Sequence, residues 1–263
     1  MPSRATAGSG VDALLPARHR GSDDPTTVKL ARIEPLTHAL GPGARVVGWV
    51  QGCALACEGC VVPESHATGG EPWPVDELAA RILALPGDRD GLTLSGGEPM
   101  LQAPALLQLV RRLRAERPTW TFMSYTGYLR SVLERRGSEG QRALLGELDL
   151  LVDGPFVARR AEGTTLWRGS SNQRIHALTP AGRRALQGYD LDRPGITEYV
   201  LDDGALRWTG IPPAGFRTAE TEVPRERALT WTQVRATSGK RVRREPDHRA
   251  ATASPDHDHE EQG

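Results

Sequence analysis

The sequence is nearly without lysine: Lys29 and Lys240 are the only two, and arginine supplies the other basic residues. That reads as genomic base composition, not as a phosphate-binding device. Basic and acidic residues balance at 33 each over 263 residues, for a net charge of zero. A protein that held nucleic acid by bulk charge would be basic, so no nucleic-acid partner is expected. No apolar run approaches the ~18 residues that suggest a membrane helix, so no membrane partner is expected either. The first 21 residues lack the apolar core of a secretion signal, which predicts a cytoplasmic protein. Apolar residues are scarce at 38%, while Gly (29) and Pro (20) are plentiful. Part of the length is therefore expected to be loop or tail.

Cysteine is also rare. The three are Cys53, Cys57 and Cys60, all within eight residues. An odd, tightly clustered set without a secretion signal does not suit a disulfide framework. Ligation of a metal or a cluster is the natural reading.

Residues 1–27 are rich in Gly, Ser, Pro, Arg and Asp and read as a flexible leader. Residues 236–263 contain one large apolar residue, Val242, and read as a disordered tail, basic from Lys240 to Arg244 and acidic after it. A segment that buries so little cannot offset its conformational entropy. Residues 28–210 are expected to form the chemical domain, and 211–235 a C-terminal extension.

Within the domain, strands are predicted at Arg45–Gln51, Gly91–Ser95, Thr119–Ser124, Leu150–Val152 and Arg174–Leu178. Helices are predicted at Val75–Leu85, Pro104–Arg117 and Gln141–Leu148, with another running to Arg136 under a Thr126 N-cap. This alternation implies parallel β–α units in an α/β fold. Glu198–Leu201 and Ala205–Trp208 flank an Asp-Gly pair, the signature of a β-hairpin.

The cysteine segment has the spacing C-x3-C-x2-C. A cubane iron–sulfur cluster closed on all sides takes four thiolates. Three from one loop leave an iron open, as catalytic metal sites keep an open position. A zinc site completed by His66 is the first alternative, and free redox thiols are the second. Ser95-Gly96-Gly97-Glu98-Pro99 follows about 35 residues after Cys60, at the mouth of the next strand. Thr126-Gly127-Tyr128 follows the third strand, LLVDGPF spans Leu150–Phe156, and WRGSSNQRI spans Trp167–Ile175.

In order and spacing these motifs resemble the radical S-adenosylmethionine (SAM) superfamily, and within it the activating proteins of anaerobic ribonucleotide reductase. The resemblance covers about Leu30–Ala177. It implies a partial, open (βα) barrel of radical SAM type, here with a C-terminal β-hairpin and disordered termini. It implies a 4Fe–4S cluster on Cys53, Cys57 and Cys60, with SAM on its open iron. It implies a flavodoxin- or ferredoxin-like electron donor and a glycyl radical enzyme as the target. Ser95, Gly96, Gly97 and Glu98 would meet the methionine moiety of SAM, since backbone without Cβ atoms permits close approach. A bulky residue at Gly97 would then block SAM while leaving the cluster in place. Thr126, Asp153 and Asn172 are further candidates for SAM contact. Arg174 is a candidate partner for the SAM carboxylate, whose geometry suits a guanidinium fork. Val61 departs from the family, which usually carries an aromatic after the last cysteine. Two other functions stay open: a radical SAM enzyme acting on a small molecule or peptide, and a non-enzymatic iron–sulfur or zinc protein.

Overall fold

The computed structural model describes residues 24–161, 165–202 and 205–212. Nine strands and five α-helices lie within them. Seven strands form one sheet in the order β3-β1-β2-β4-β5-β6-β7. Its centre is β2 (Arg45–Val50), β4 (Gly91–Gly96), β5 (Thr121–Tyr125) and β6 (Leu150–Asp153). These four neighbours are mutually parallel. On one flank β1 (Thr27–Thr37) pairs antiparallel with β2 and with β3 (Glu71–Pro74). On the other, β7 (Arg174–Ala177) runs antiparallel to β6, so the last predicted strand does not continue the parallel series. β8 (Thr197–Asp202) and β9 (Ala205–Gly210) form the expected hairpin as a separate two-stranded sheet. The described sheet is open, with β3 and β7 at its edges.

The parallel strands are connected by helices, as their geometry requires. Helix α1 (Val75–Leu83) buries Val75, Leu78, Ala79 and Ile82. Helix α2 (Ala103–Glu116) buries Leu106, Leu109, Val110 and Leu113, the stripe expected from spacing. Helix α4 (Glu139–Glu147) starts two residues earlier than predicted, on a capping box between Ser138 and Gln141. Helix α3 (Arg130–Arg136) corrects the sequence reading, because Thr126 does not cap it. Its first N–H, from Arg130, instead donates to Asp153 Oδ2 at 2.7 Å. A short helix α5 (Pro180–Ala185), capped by Thr179, follows β7.

Two boundaries move as well. β1 begins at Thr27, and Asp24 accepts from Thr26 just before it, so the last residues of the expected leader, 24–27, are part of the described fold. Ile211 packs with Leu40, Val47 and Trp49, so the first residue of the presumed extension belongs to the core. Residues 1–23 and 213–263, including the charged tail, lie outside the described residues.

Alternation along the central strands separates an inner from an outer face. Met123, Leu150 and Val152 cluster inside with Leu166 and Trp167. At the N-terminal end of the parallel strands the fully buried Arg45 donates to the Thr93 and Thr121 hydroxyls and to the carbonyls of Pro42, Leu92 and Thr121. At the other end the strands run out into the loops that carry the predicted chemistry.

Candidate functional site

The three thiols sit on the loop leaving β2, and all are free and partly exposed. The loop turns through Gly52 at φ +105°, Ala56 at +42° and Gly59 at +69°. Such angles cost least at glycine, and Gly52 and Gly59 stand directly before Cys53 and Cys60. The β4 exit braces this loop from below. Gly97 N donates to Val50 O at 2.8 Å and Glu98 N to Gly52 O at 2.9 Å. Cys53 N in turn donates to His66 O at 3.2 Å. A Cβ placed on Gly97 would stand 2.2 Å from Gly52 O. Gly97 thus stands where β4 meets the cysteine loop itself, so a bulky residue there would press on that loop as well as on the expected SAM site.

Glu98 is 1% exposed, yet its carboxylate is fully engaged. Oε1 accepts from Met100 N at 2.9 Å and from Thr126 Oγ1 at 2.8 Å. Oε2 accepts from Gly127 N at 2.8 Å. Burial pushes this carboxyl up to about 7 despite the three donors. Glu98 thus ties the β4 exit to the β5 exit, and Thr126 serves that tie. Gly127 lies against the cysteine loop, where a Cβ would stand 2.2 Å from Leu55 Cδ1. Tyr128 is a buried ring, and its phenol is pushed up by burial.

A second brace works on the far side. Gln173 Oε1 accepts from Gly169 N at 2.8 Å, and its Nε2 donates to Gly154 O at 3.0 Å. The strand exits close around one cleft. Cys53, Cys57, Cys60, Ser95, Gly96, Gly97, Glu98 and Thr126 all line it. Gly127, Gly154, Gly169, Phe156 and Gln173 continue that wall.

Three predicted contacts fall elsewhere. Val152 faces inward, so the next residue, Asp153, faces out. Its carboxylate caps α3 and lies 3.0 Å from His176 Nε2. Asn172 donates to Pro155 O at 2.8 Å, and its buried Oδ1 has no hydrogen-bond partner. Arg174 is exposed at the start of the edge strand β7. None of the three lines the cleft.

Another part of the lining escaped the sequence reading. It consists of Arg32, Leu40 and Trp49, with Trp208, Gly210 and Ile211 from the hairpin and the residue after it. The Arg32 guanidinium lies 4.0 Å over the Trp49 ring. Val61 and Val62 also line the cleft, and Tyr125 forms part of its floor. The Tyr125 hydroxyl is buried without a hydrogen-bond partner. Aromatic surface is therefore present around the cleft even though Val61 supplies none.

Among the described residues, no three His, Cys, Asp or Glu side chains converge to hold a single metal ion. His66 lines the same cleft as the three thiols. Three thiols on one wall, spread along a strained loop and facing an open cleft, fit a multi-iron cluster with one iron left for an exogenous ligand. Burial raises the Cys53 and Cys60 thiols above their ordinary range. Neutral thiols are thus favoured without a cation, and binding iron would displace their protons.

Comparison with known proteins agrees with this donor set. A family model described as a 4Fe-4S single cluster domain matches residues 39–176. The anaerobic ribonucleoside-triphosphate reductase-activating protein of Vibrio cholerae is 38% identical over 151 residues, covering 55% of this chain and 95% of that protein. The protein of the same name from Haemophilus influenzae is 37% identical over 142 residues, covering 52% of this chain and 89% of its own length. Among solved structures, QueE from Escherichia coli overlaps 38% of this chain and 52% of that one, with 17% identity and a TM-score of 0.31, too loose an overlap to bear on function.

Proposed function

Since this chain belongs to the anaerobic ribonucleoside-triphosphate reductase-activating proteins and carries their 4Fe-4S single cluster domain, we propose that it is a radical SAM enzyme that installs a glycyl radical on a partner reductase. The observation that carries the reading is the grouping of three free thiols with the SGGE and TGY exits around one cleft. The cluster supplies, when bound, one-electron cleavage of SAM to methionine and a 5′-deoxyadenosyl radical, which takes a hydrogen atom from the target glycine.

The chain's own residues hold and shape this site. Cys53, Cys57 and Cys60 hold the cluster. Ser95 and the backbone of Gly96 and Gly97 take the amino-acid end of SAM, where the absence of side chains permits close approach. Glu98 and Thr126 act indirectly, because their polar atoms are engaged with each other and with the Met100, Gly127 and Tyr128 N–H groups. They fix the relative position of the two exits. Gln173 does the same for the exit of β6 and the loop that enters β7. Reduction falls to a flavodoxin- or ferredoxin-like one-electron donor.

The test is anaerobic reconstitution. About four iron per chain is expected, the content of one cubane cluster. With reductant and SAM the protein should release 5′-deoxyadenosine and, with its reductase, give a glycyl radical signal by electron paramagnetic resonance. Cys53→Ala, Cys57→Ala and Cys60→Ala should each abolish both. A stable colourless zinc protein, or full turnover by any one of these variants, would defeat the reading.

A further inference from the structure

The lining of the cleft is of two kinds. Beside the cysteines it is largely backbone, with Gly96, Gly97, Gly127, Gly154 and Gly169 in it. Such a surface suits a polar cofactor met by N–H and C=O groups. The rest of the lining is bulky and mostly apolar, and Arg32, Trp208, Gly210 and Ile211 lie outside the span 39–176 that matches the family model.

The hairpin that supplies part of this lining is firmly attached. Glu198 accepts from the Thr37 hydroxyl and from His38 N. Arg32 donates to Trp208 O at 3.3 Å and to Thr209 Oγ1 at 3.4 Å while stacked on Trp49. Thr197 Oγ1 donates to Ile211 O at 2.7 Å, and Ile211 is buried with Leu40, Val47 and Trp49. Glu198 and Thr209, directly paired across the hairpin, thus turn toward β1. The next pair is Tyr199 and Trp208. Residues directly opposite share a face, and neighbours along a strand point to opposite faces. Tyr199 and Trp208 therefore occupy the face turned away from β1. Trp208 reaches the cleft, and Tyr199 is 51% exposed. An exposed aromatic residue beside one that lines a site is the composition of a protein-contact hot spot.

We propose that the Tyr199–Trp208 face of the β8–β9 hairpin is the docking rim for the glycine-bearing segment of the partner reductase. This rests on the activase reading above. The occupant follows from the two kinds of lining. The glycine-rich backbone beside the thiols takes the cofactor, which leaves Trp208 and Ile211 as the lining that meets the target's main chain. A glycine-centred segment is uncharged at its centre and narrow enough to pass an apolar wall. Large rings that lose little conformational freedom suit capture of such a chain.

The experiment measures binding of the reconstituted full chain to the purified reductase of the same organism by calorimetry, alongside glycyl radical formed per SAM cleaved. Tyr199→Ala and Trp208→Ala should each weaken the affinity by about tenfold, as loss of a hot-spot ring does. Trp208→Phe should recover most of it. Tyr199 is exposed, so its variant tests the rim even where Trp208→Ala disturbs the fold. Wild-type affinity and wild-type radical yield in Tyr199→Ala and Trp208→Phe, with Trp208→Ala weakened only in proportion to lost folded protein, would overturn the hairpin assignment. A wild-type chain that cleaves SAM but neither binds the reductase nor gives a glycyl signal would instead overturn the activase reading, and this inference with it.

Discussion

The two ends of the parallel strands solve the same problem in different ways. At the N-terminal end a charge is buried and fully satisfied. Arg45 has no exposed surface, and its three nitrogens donate to two hydroxyls and three carbonyls. Asp149, 1% exposed, accepts from Phe122 N, Arg114 and Thr179 beside it. At the C-terminal end Glu98 and Gln173 are satisfied just as fully, but Glu98 spends its bonds on holding the β4 and β5 exits together and Gln173 on holding the β6 exit to the loop that enters β7. Between those braces stand three free thiols and the Tyr125 hydroxyl, the latter buried without a hydrogen-bond partner. One end closes the fold, and the other holds reactive groups apart. A buried polar group is costly unless bonded, so groups left unpaired in a braced setting mark where ligands belong.

The comparison is broken hardest at Arg45. Arg45→Leu removes the donors from five acceptors at once, two hydroxyls and three carbonyls, in a buried setting. We expect a loss of about 3 kcal/mol or more, read as the shift in the denaturation midpoint of the anaerobic protein. Burial lowers this guanidinium to about 10, still above any working pH, so the loss should not vary between pH 6 and 8. A variant as stable as the parent would mean that the N-terminal end is not held this way.

At the reactive end the largest effect is expected from Gly97→Val. The added Cβ would stand 2.2 Å from Gly52 O and 3.0 Å from Ser65 O, so the cysteine loop must move. Iron content after reconstitution should fall along with SAM binding. Retention of a full complement of iron would show that the loop can yield without losing its thiols.

Glu98→Gln is milder. The new amide presents N–H where N–H groups already point, which costs about 1–3 kcal/mol. The pH dependence carries the sharper signature. The folded-state pKa of Glu98 is raised to about 7, so between its ordinary value and 7 the folded protein binds more protons than the unfolded one. Its contribution to stability is therefore present at low pH and declines as pH rises toward 7. In Glu98→Gln that decline should vanish, as seen in stability measured at pH 5, 6 and 7.

Much of this was legible in the sequence. Cysteine spacing, Gly-Gly after a strand and apolar stripes on α1 and α2 are local signals, and each lands where its period puts it. Less legible was anything that depends on which face a residue takes at a strand end. Asp153 looks like a ligand beside Gly154, but it follows the inward-facing Val152 and so turns out to cap α3. Thr126 looks like a helix cap, but it is claimed by a buried glutamate 28 residues earlier. The bulky part of the lining was illegible for another reason. Arg32, Trp49 and Trp208 meet only through tertiary packing, and no short motif joins residues 176 positions apart.

The smallest expected effect falls at Arg174, where sequence and structure disagree about a single side chain. The guanidinium suits the SAM carboxylate, and the WRGSSNQRI segment does approach the cleft through Gly169 and Gln173. Alternation decides against Arg174. Ile175 packs inward against the Met123 and Trp167 cluster, so Arg174 and His176 face the other way. Arg174 is exposed, opposite Asp153 in the β6–β7 register and outside the cleft. Exposed side chains away from a site change stability by about 0.5 kcal/mol at most. Arg174→Ala should therefore leave denaturation midpoint and SAM affinity within about twofold of the parent. Gln173→Ala should lower stability, because Gly169 N and Gly154 O both lose their partner. If Arg174→Ala instead weakened SAM binding tenfold with the fold intact, the β7 end would have to rotate to bring Arg174 inward on ligand binding, and the brace at Gln173 would be one that opens.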